Sequence, residues 1–127
     1  MSEFFEESVT EFRARDLPRQ PLIADDILDE GGFLLVLGAT SVGKSYLLLQ
    51  MAYNIATGTP FLGHEVTRAY RTGFLQAELG EAGQRQRVDK IGRNFDPENP
   101  PLFINTTSSL YLDDSKGLRE LTSSIME

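Results

Sequence analysis

The chain has no cysteine, which excludes disulfides and thiolate metal sites and fits a reducing, cytoplasmic setting. Its one histidine, His64, cannot make a histidine metal cluster. No apolar run approaches the roughly 18 residues of a membrane helix. The acidic start, MSEFFEESVTEF, predicts neither a secretory signal nor a transit peptide. A basic excess is lacking as well, since the net charge is −7. That charge is unevenly spread. Residues 1–30 hold nine acids and three bases, whereas residues 31–127 hold ten acids and nine bases. The acidity belongs to the lead-in, and no basic footprint for nucleic acid exists. Any DNA or RNA contact must come from loops, a local patch or sequence outside these residues.

What is present is a globular composition. The 127 residues suit one domain or part of one, and 40% are hydrophobic, too many for a disordered chain. Residues 1–20 form a charged, weakly patterned lead-in. Phe4, Phe5 and Phe12 either pin it to a neighbour or ride on a mobile tail; the residues leave both open. From residue 21 to 127 the pattern is that of a folded domain. Leu22, Ile23, Ile27 and Leu28 reach the edge of the core, and Gly31-Gly32 marks a turn. Phe33–Leu37 is short and wholly apolar, as a strand buried on both faces should be. Gly43 to about Thr57 reads as a helix, with Leu47, Met51 and Ile55 at i, i+4 and i+8. Gly58 and Pro60 stop it. A second strand is expected over Gly73–Ala77, a second helix from about Glu81 to Phe95, and a third strand over Leu102–Asn105. A last helix is expected over Ser115–Met126, with Leu118, Leu121 and Ile125 on one face. Strands alternating with helices through short loops imply an α/β fold with a mainly parallel sheet.

Between the first strand and the first helix lies Gly38-Ala39-Thr40-Ser41-Val42-Gly43-Lys44-Ser45. It matches the phosphate-binding loop pattern in full. Glycines let the backbone turn tightly against a ligand. Successive N–H groups from about Thr40 to Ser45 can converge on an anion, and the helix start adds its positive dipole end. Lys44 brings a cation to the β- and γ-phosphates, and the Ser45 hydroxyl can ligate Mg2+. An average chain of this length meets the pattern by accident roughly once in a few hundred tries. A strand before it and a helix after it make accident rarer still.

The stretch LIADDILDEGGFLLVLGATSVGKSYLLLQMAYNIATGTPFLGHEV resembles the start of RecA-like P-loop ATPases of the RepA replicative-helicase type, counted among the AAA family ATPases. The resemblance rests on the Gly-Gly before the strand, the loop, the long helix and the turn Gly58-Thr59-Pro60-Phe61-Leu62-Gly63. It extends over about residues 21 to 125, through GFLQAELGEAGQRQRV, where Glu78 follows the second strand. It implies a RecA-like, mainly parallel sheet flanked by helices, ATP and Mg2+ as cofactors, and ATP hydrolysis in a DNA-related motor. It also implies a homo-oligomeric, hexameric ring and single-stranded DNA as a partner. Lys44 and Glu78 take the catalytic places, with Glu78 orienting or deprotonating the attacking water. Read without the resemblance, Glu78 is a solvated acid beginning a helix. Glu81 is the fallback for the same role. Arg87, nine residues after Glu78, stands where similar proteins carry an arginine near the phosphates. Arg85, Arg87, Lys90 and Arg93 otherwise read as a solvated helix face.

Asp113-Asp114 follows too short an apolar run, and comes too early, to be the second Mg2+ motif of such enzymes. It reads as the lead into the last helix, with Asp114 or Ser115 as N-cap. RecA-like domains run well over 200 residues and carry that motif and later strands beyond the point reached at Glu127. The resemblance therefore implies an N-terminal portion of such a domain, inactive by itself, in which Phe33–Leu37 and Gly73–Ala77 lack their sheet partners. Two rival readings share the loop. One is a small-molecule kinase. The other is a nucleotide-sensing module that binds and barely turns over.

Overall fold

A computed structural model describes residues 4, 6–39, 42–76, 80–95, 99–106 and 115–126. In chain order the elements are α1 (Val9–Ala14), β1 (Pro21–Ile23), β2 (Leu28–Asp29), α2 (Lys44–Thr57), β3 (Thr72–Leu75), α3 (Glu81–Gly92), β4 (Leu102–Asn105) and α4 (Ser115–Met126).

The lead-in forms one short helix. Ser8 and Glu11 close a capping box on α1, with Ser8 N–H donating to Glu11 Oε2 at 2.7 Å and Glu11 N–H donating to Ser8 Oγ at 3.2 Å. The bond from the Ser8 backbone, then that from its side chain, holds the Glu11 carboxyl below its usual range. α1 buries no residue, and Phe4 and Phe12 are exposed. Neither of those two rings is buried. Phe5 lies outside the described residues.

β1 and β2 form a small antiparallel hairpin whose turn carries Asp25 and Asp26 at positive φ. Ile23 drops from it into a core with Met51, Phe61 and Val66, flanked by Leu22, Ile27, Leu28, Leu47 and Ile55. The i, i+4, i+8 stripe of α2 faces this hairpin. A second stripe of α2, Leu49 and Tyr53, packs with Ile91 of α3 and with Phe74, Val88, Phe95 and Leu102. The Tyr53 and Phe95 rings stack at 5.0 Å. α2 is thus buried on two sides, between the hairpin and the sheet.

The α/β expectation holds in a small form. β3 and β4 pair in parallel, Thr72 against Leu102 through Leu75 against Asn105. The last helix and the third strand lie where the periodicity put them, and β3 begins and ends slightly early, at Thr72 and Leu75. α3 ends at Gly92, short of Phe95. The strand expected over Phe33–Leu37 is corrected: residues 32–39 adopt no regular structure, and Phe33 is 86% and Leu37 81% exposed. A strand needs a neighbour to take up its N–H and C=O groups. β3 and β4 serve each other, and no described strand lies beside Phe33–Leu37. The expectation that Gly73–Ala77 also lacks a partner is corrected by the β3–β4 ladder. Leu118 and Ile125 of α4 are exposed too, and Ile125 lines, with Leu121, an open cavity of about 720 Å3 against β3 and β4. No described helix is long and apolar enough to cross a membrane.

Candidate functional site

The loop begins in the irregular segment and ends on α2. Gly43 is the N-cap, at φ 91° and ψ 14°. That left-handed conformation is cheap for glycine and costs any other residue about 1 kcal/mol or more. It swings the chain so that the first turn of α2 opens toward the loop. No side chain caps this helix and no acid occupies its first turn. Its first intrahelical bond runs from Leu47 N–H to Gly43 C=O. The N–H groups of Lys44, Ser45 and Tyr46 precede that bond and are free for an anion. Lys44 folds back over the loop and its Nζ donates to Gly38 C=O. One ammonium thus closes the loop from its last turn to its first residue. Lys44 and Ser45 are half-buried, whereas Gly38, Ala39, Val42 and Gly43 are exposed. Thr40 and Ser41 lie outside the described residues. An uncapped helix start, a lysine over it and a hydroxyl beside it form a donor set that fits a phosphate chain with its Mg2+.

The far end of α2 is held by its own polar anchor. Gly58 caps the helix at φ 69°. Asn54 is buried, donates to Thr59 Oγ1 at 2.9 Å and to Pro60 C=O at 3.0 Å, and accepts from Gln50 Nε2 at 3.1 Å. Phe61 follows into the core. Phe61 and His64 then exchange backbone bonds of 2.9 and 2.8 Å around Leu62-Gly63, both at positive φ. The Pro60-Phe61-Leu62-Gly63 turn accordingly anchors α2, at the opposite end from the loop. His64 Nδ1 sits 2.8 Å from Asp25 Oδ2, tying this turn to the β1–β2 hairpin. It has no metal-site company: among the described residues no group of acids and histidines could hold an ion.

α3 brings one group against the first turn of α2. Of its basic run, Arg85, Lys90 and Arg93 are exposed and Arg87 is half-buried. The Arg87 guanidinium lies 4.7 Å over the Tyr46 ring, in the first turn of α2. Gln76, just past β3, and Gln84, in α3, are buried, and among the described residues Gln76 Oε1 and Gln84 Nε2 have no hydrogen-bond partner. Sequence reading missed Tyr46, Gln76 and Gln84. The spacing of Tyr46 from the loop was visible, but nothing in the sequence paired it with Arg87. A glutamine at a helix i+3 position gives no sign that it is buried. Glu78 lies outside the described residues, as do Asp113 and Asp114. Glu81 opens α3 as its first-turn acid.

A family model described as an AAA domain (AAA_25) matches residues 2–125. No curated protein matches the chain, and no solved structure does. The match takes in nearly the whole sequence, including the loop, α2 and α3. The chain belongs to the AAA domain family and, with it, to the nucleotide-binding ATPases.

Proposed function

We propose that the chain binds ATP with Mg2+ at the Gly38–Ser45 loop and hydrolyses it as part of a RecA/RepA-like, DNA-related motor. The observation that carries this reading is the uncapped start of α2 behind Gly43, with Lys44 folded over it. The first three N–H groups of α2 lack a helix partner and the Lys44 ammonium lies over the same loop, a set of donors suited to phosphate oxygens. Ser45 would hold Mg2+, which supplies charge neutralisation across the phosphates. The reaction is in-line attack of water on the γ-phosphorus, with the bond to the β,γ-bridging oxygen breaking and ADP leaving. Lys44 and the loop N–H groups stabilise the charge that moves onto the phosphate oxygens. Glu78 positions the water and takes its proton. Arg87 contacts the terminal phosphate from α3. The resemblance in the loop and the Gly58–Gly63 turn supports a helicase-type role in a homo-oligomeric ring acting on single-stranded DNA.

The test is ATP turnover by the full-length natural protein, with and without single-stranded DNA, beside Lys44→Ala and Glu78→Gln. The reading expects DNA to raise turnover, both variants to abolish it, and Glu78→Gln still to bind ATP. ATP binding with turnover at background, whether DNA is present or not, would put a nucleotide-sensing module in its place.

A further inference from the structure

Arg87 differs from its basic neighbours on α3. Arg85, Lys90 and Arg93 point to solvent, as a solvated face requires. Arg87 is half-buried, and its Cζ lies over an aromatic ring of another helix, 4.7 Å from the centre of the Tyr46 ring. That ring belongs to the residue after Ser45, in the first turn of α2. The side chains on either side of the loop's end are therefore joined by one stacking contact.

We propose that Tyr46 is a positioning residue that holds Arg87 against the phosphate loop, so that the protein tells a nucleoside triphosphate from a diphosphate. The proposal rests on the reading of the loop and of Arg87 given above. The chemistry follows from the shape of the guanidinium. Its flat face is attracted to the ring, whereas its five N–H donors lie in its plane, at the edges. A guanidinium held over Tyr46 by its face keeps its edge donors available to an oxyanion. Among the described residues Arg87 has no ion pair and no hydrogen bond to divert those edges. A free arginine side chain samples many rotamers and loses that freedom when it binds; one already laid on a ring loses less. The edge donors then meet an oxyanion beside the Lys44–Ser45 turn with their orientation set beforehand. The group that distinguishes the two nucleotides is the terminal phosphate, and only the triphosphate carries that extra oxyanion for Arg87 to meet. Removing the ring should therefore weaken ATP and leave ADP alone.

The experiment titrates the protein with ATP and with ADP, each in Mg2+, and takes the ratio of the two dissociation constants. Wild type, Tyr46→Phe, Tyr46→Leu and Arg87→Ala are compared, with circular dichroism melts to show that each is folded. A cation–π contact of this kind corresponds to about twofold to thirtyfold in binding. Tyr46→Leu should lose that factor from the ATP-over-ADP preference, Tyr46→Phe should keep the preference because the ring face remains, and ADP affinity should stay constant throughout. A general loosening of α2 would instead weaken both nucleotides equally, which overturns the proposal. If Tyr46→Leu keeps the preference while Arg87→Ala loses it, Arg87 reads the terminal phosphate unaided and Tyr46 has no part in it. If Arg87→Ala keeps the preference, the assignment of Arg87 itself falls, and the proposal with it. If wild type binds neither nucleotide, the reading of the loop has failed.

Discussion

Two apolar segments flank the phosphate loop, and they meet opposite fates. α2 follows it and is buried on two sides; Phe33–Leu37 precedes it and lies bare. Both are rich in leucine. The difference lies in where their backbone bonds go. A helix satisfies its own N–H and C=O groups, so α2 needs neighbours only for its side chains. A strand must borrow its partners, and Phe33–Leu37 has none among the described residues. Among the described residues, regular structure adjoins the loop only on its α2 side. Its helical half, Gly43 to Ser45, is set by α2. At the loop's start, Gly38 C=O accepts from Lys44 Nζ.

The sharpest way to break the comparison is to delete one aromatic ring from each side. Phe61→Ala empties the core beneath α2 and should cost about 3–5 kcal/mol in chemical denaturation. Phe33→Ala removes an equal ring from the bare segment and should cost under about 0.5 kcal/mol. Equal costs would mean that Phe33–Leu37 is packed after all. Next comes the polar anchor at the far end of α2. Asn54→Leu deprives Thr59 Oγ1 and Pro60 C=O of their donor and should cost about 2 kcal/mol by the same measurement. Gln84 is the reverse case, a buried amide whose Nε2 makes no bond among the described residues. Gln84→Leu should raise stability by about 1 kcal/mol, since an unpaired donor is lost and a similar volume kept. A drop of that size would show that the amide is paired. The smallest effect concerns Leu62, held at φ 49° in the two-residue turn after Phe61. Leu62→Asn should gain about 0.5 kcal/mol, visible as a modest rise in the melting midpoint.

The same contrast explains what could be read from the residues. Helix periodicity is local, so α2 and α4 stood in the sequence almost to the residue. The loop was legible because its chemistry is fixed by spacing. Gly43 had to be a glycine, and its φ of 91° is the reason. A strand is a relation between segments. Phe33–Leu37 has the composition of one, and composition cannot show that the neighbour is lacking. Ser8 and Glu11 carried a capping-box signature that composition-level reading of the lead-in passed over. The hairpin of Pro21–Ile23 and Leu28–Asp29 was hidden because its turn uses two aspartates at positive φ instead of glycine. The stacking of Arg87 on Tyr46 joins residues 41 positions apart and no periodicity announces it. The AAA family is readable from the loop outward, and the proposed helicase-type role rests on the resemblance alone.

The most direct test of the account is the affinity of the protein for ATP in Mg2+, measured by calorimetry beside Lys44→Ala. The account predicts saturable binding at one site, weakened by about tenfold to a hundredfold in the variant, as expected for losing a charged hydrogen bond, with the melting midpoint unchanged. No binding by the wild type, or equal affinity in the two proteins, would contradict the claim that this loop holds phosphates.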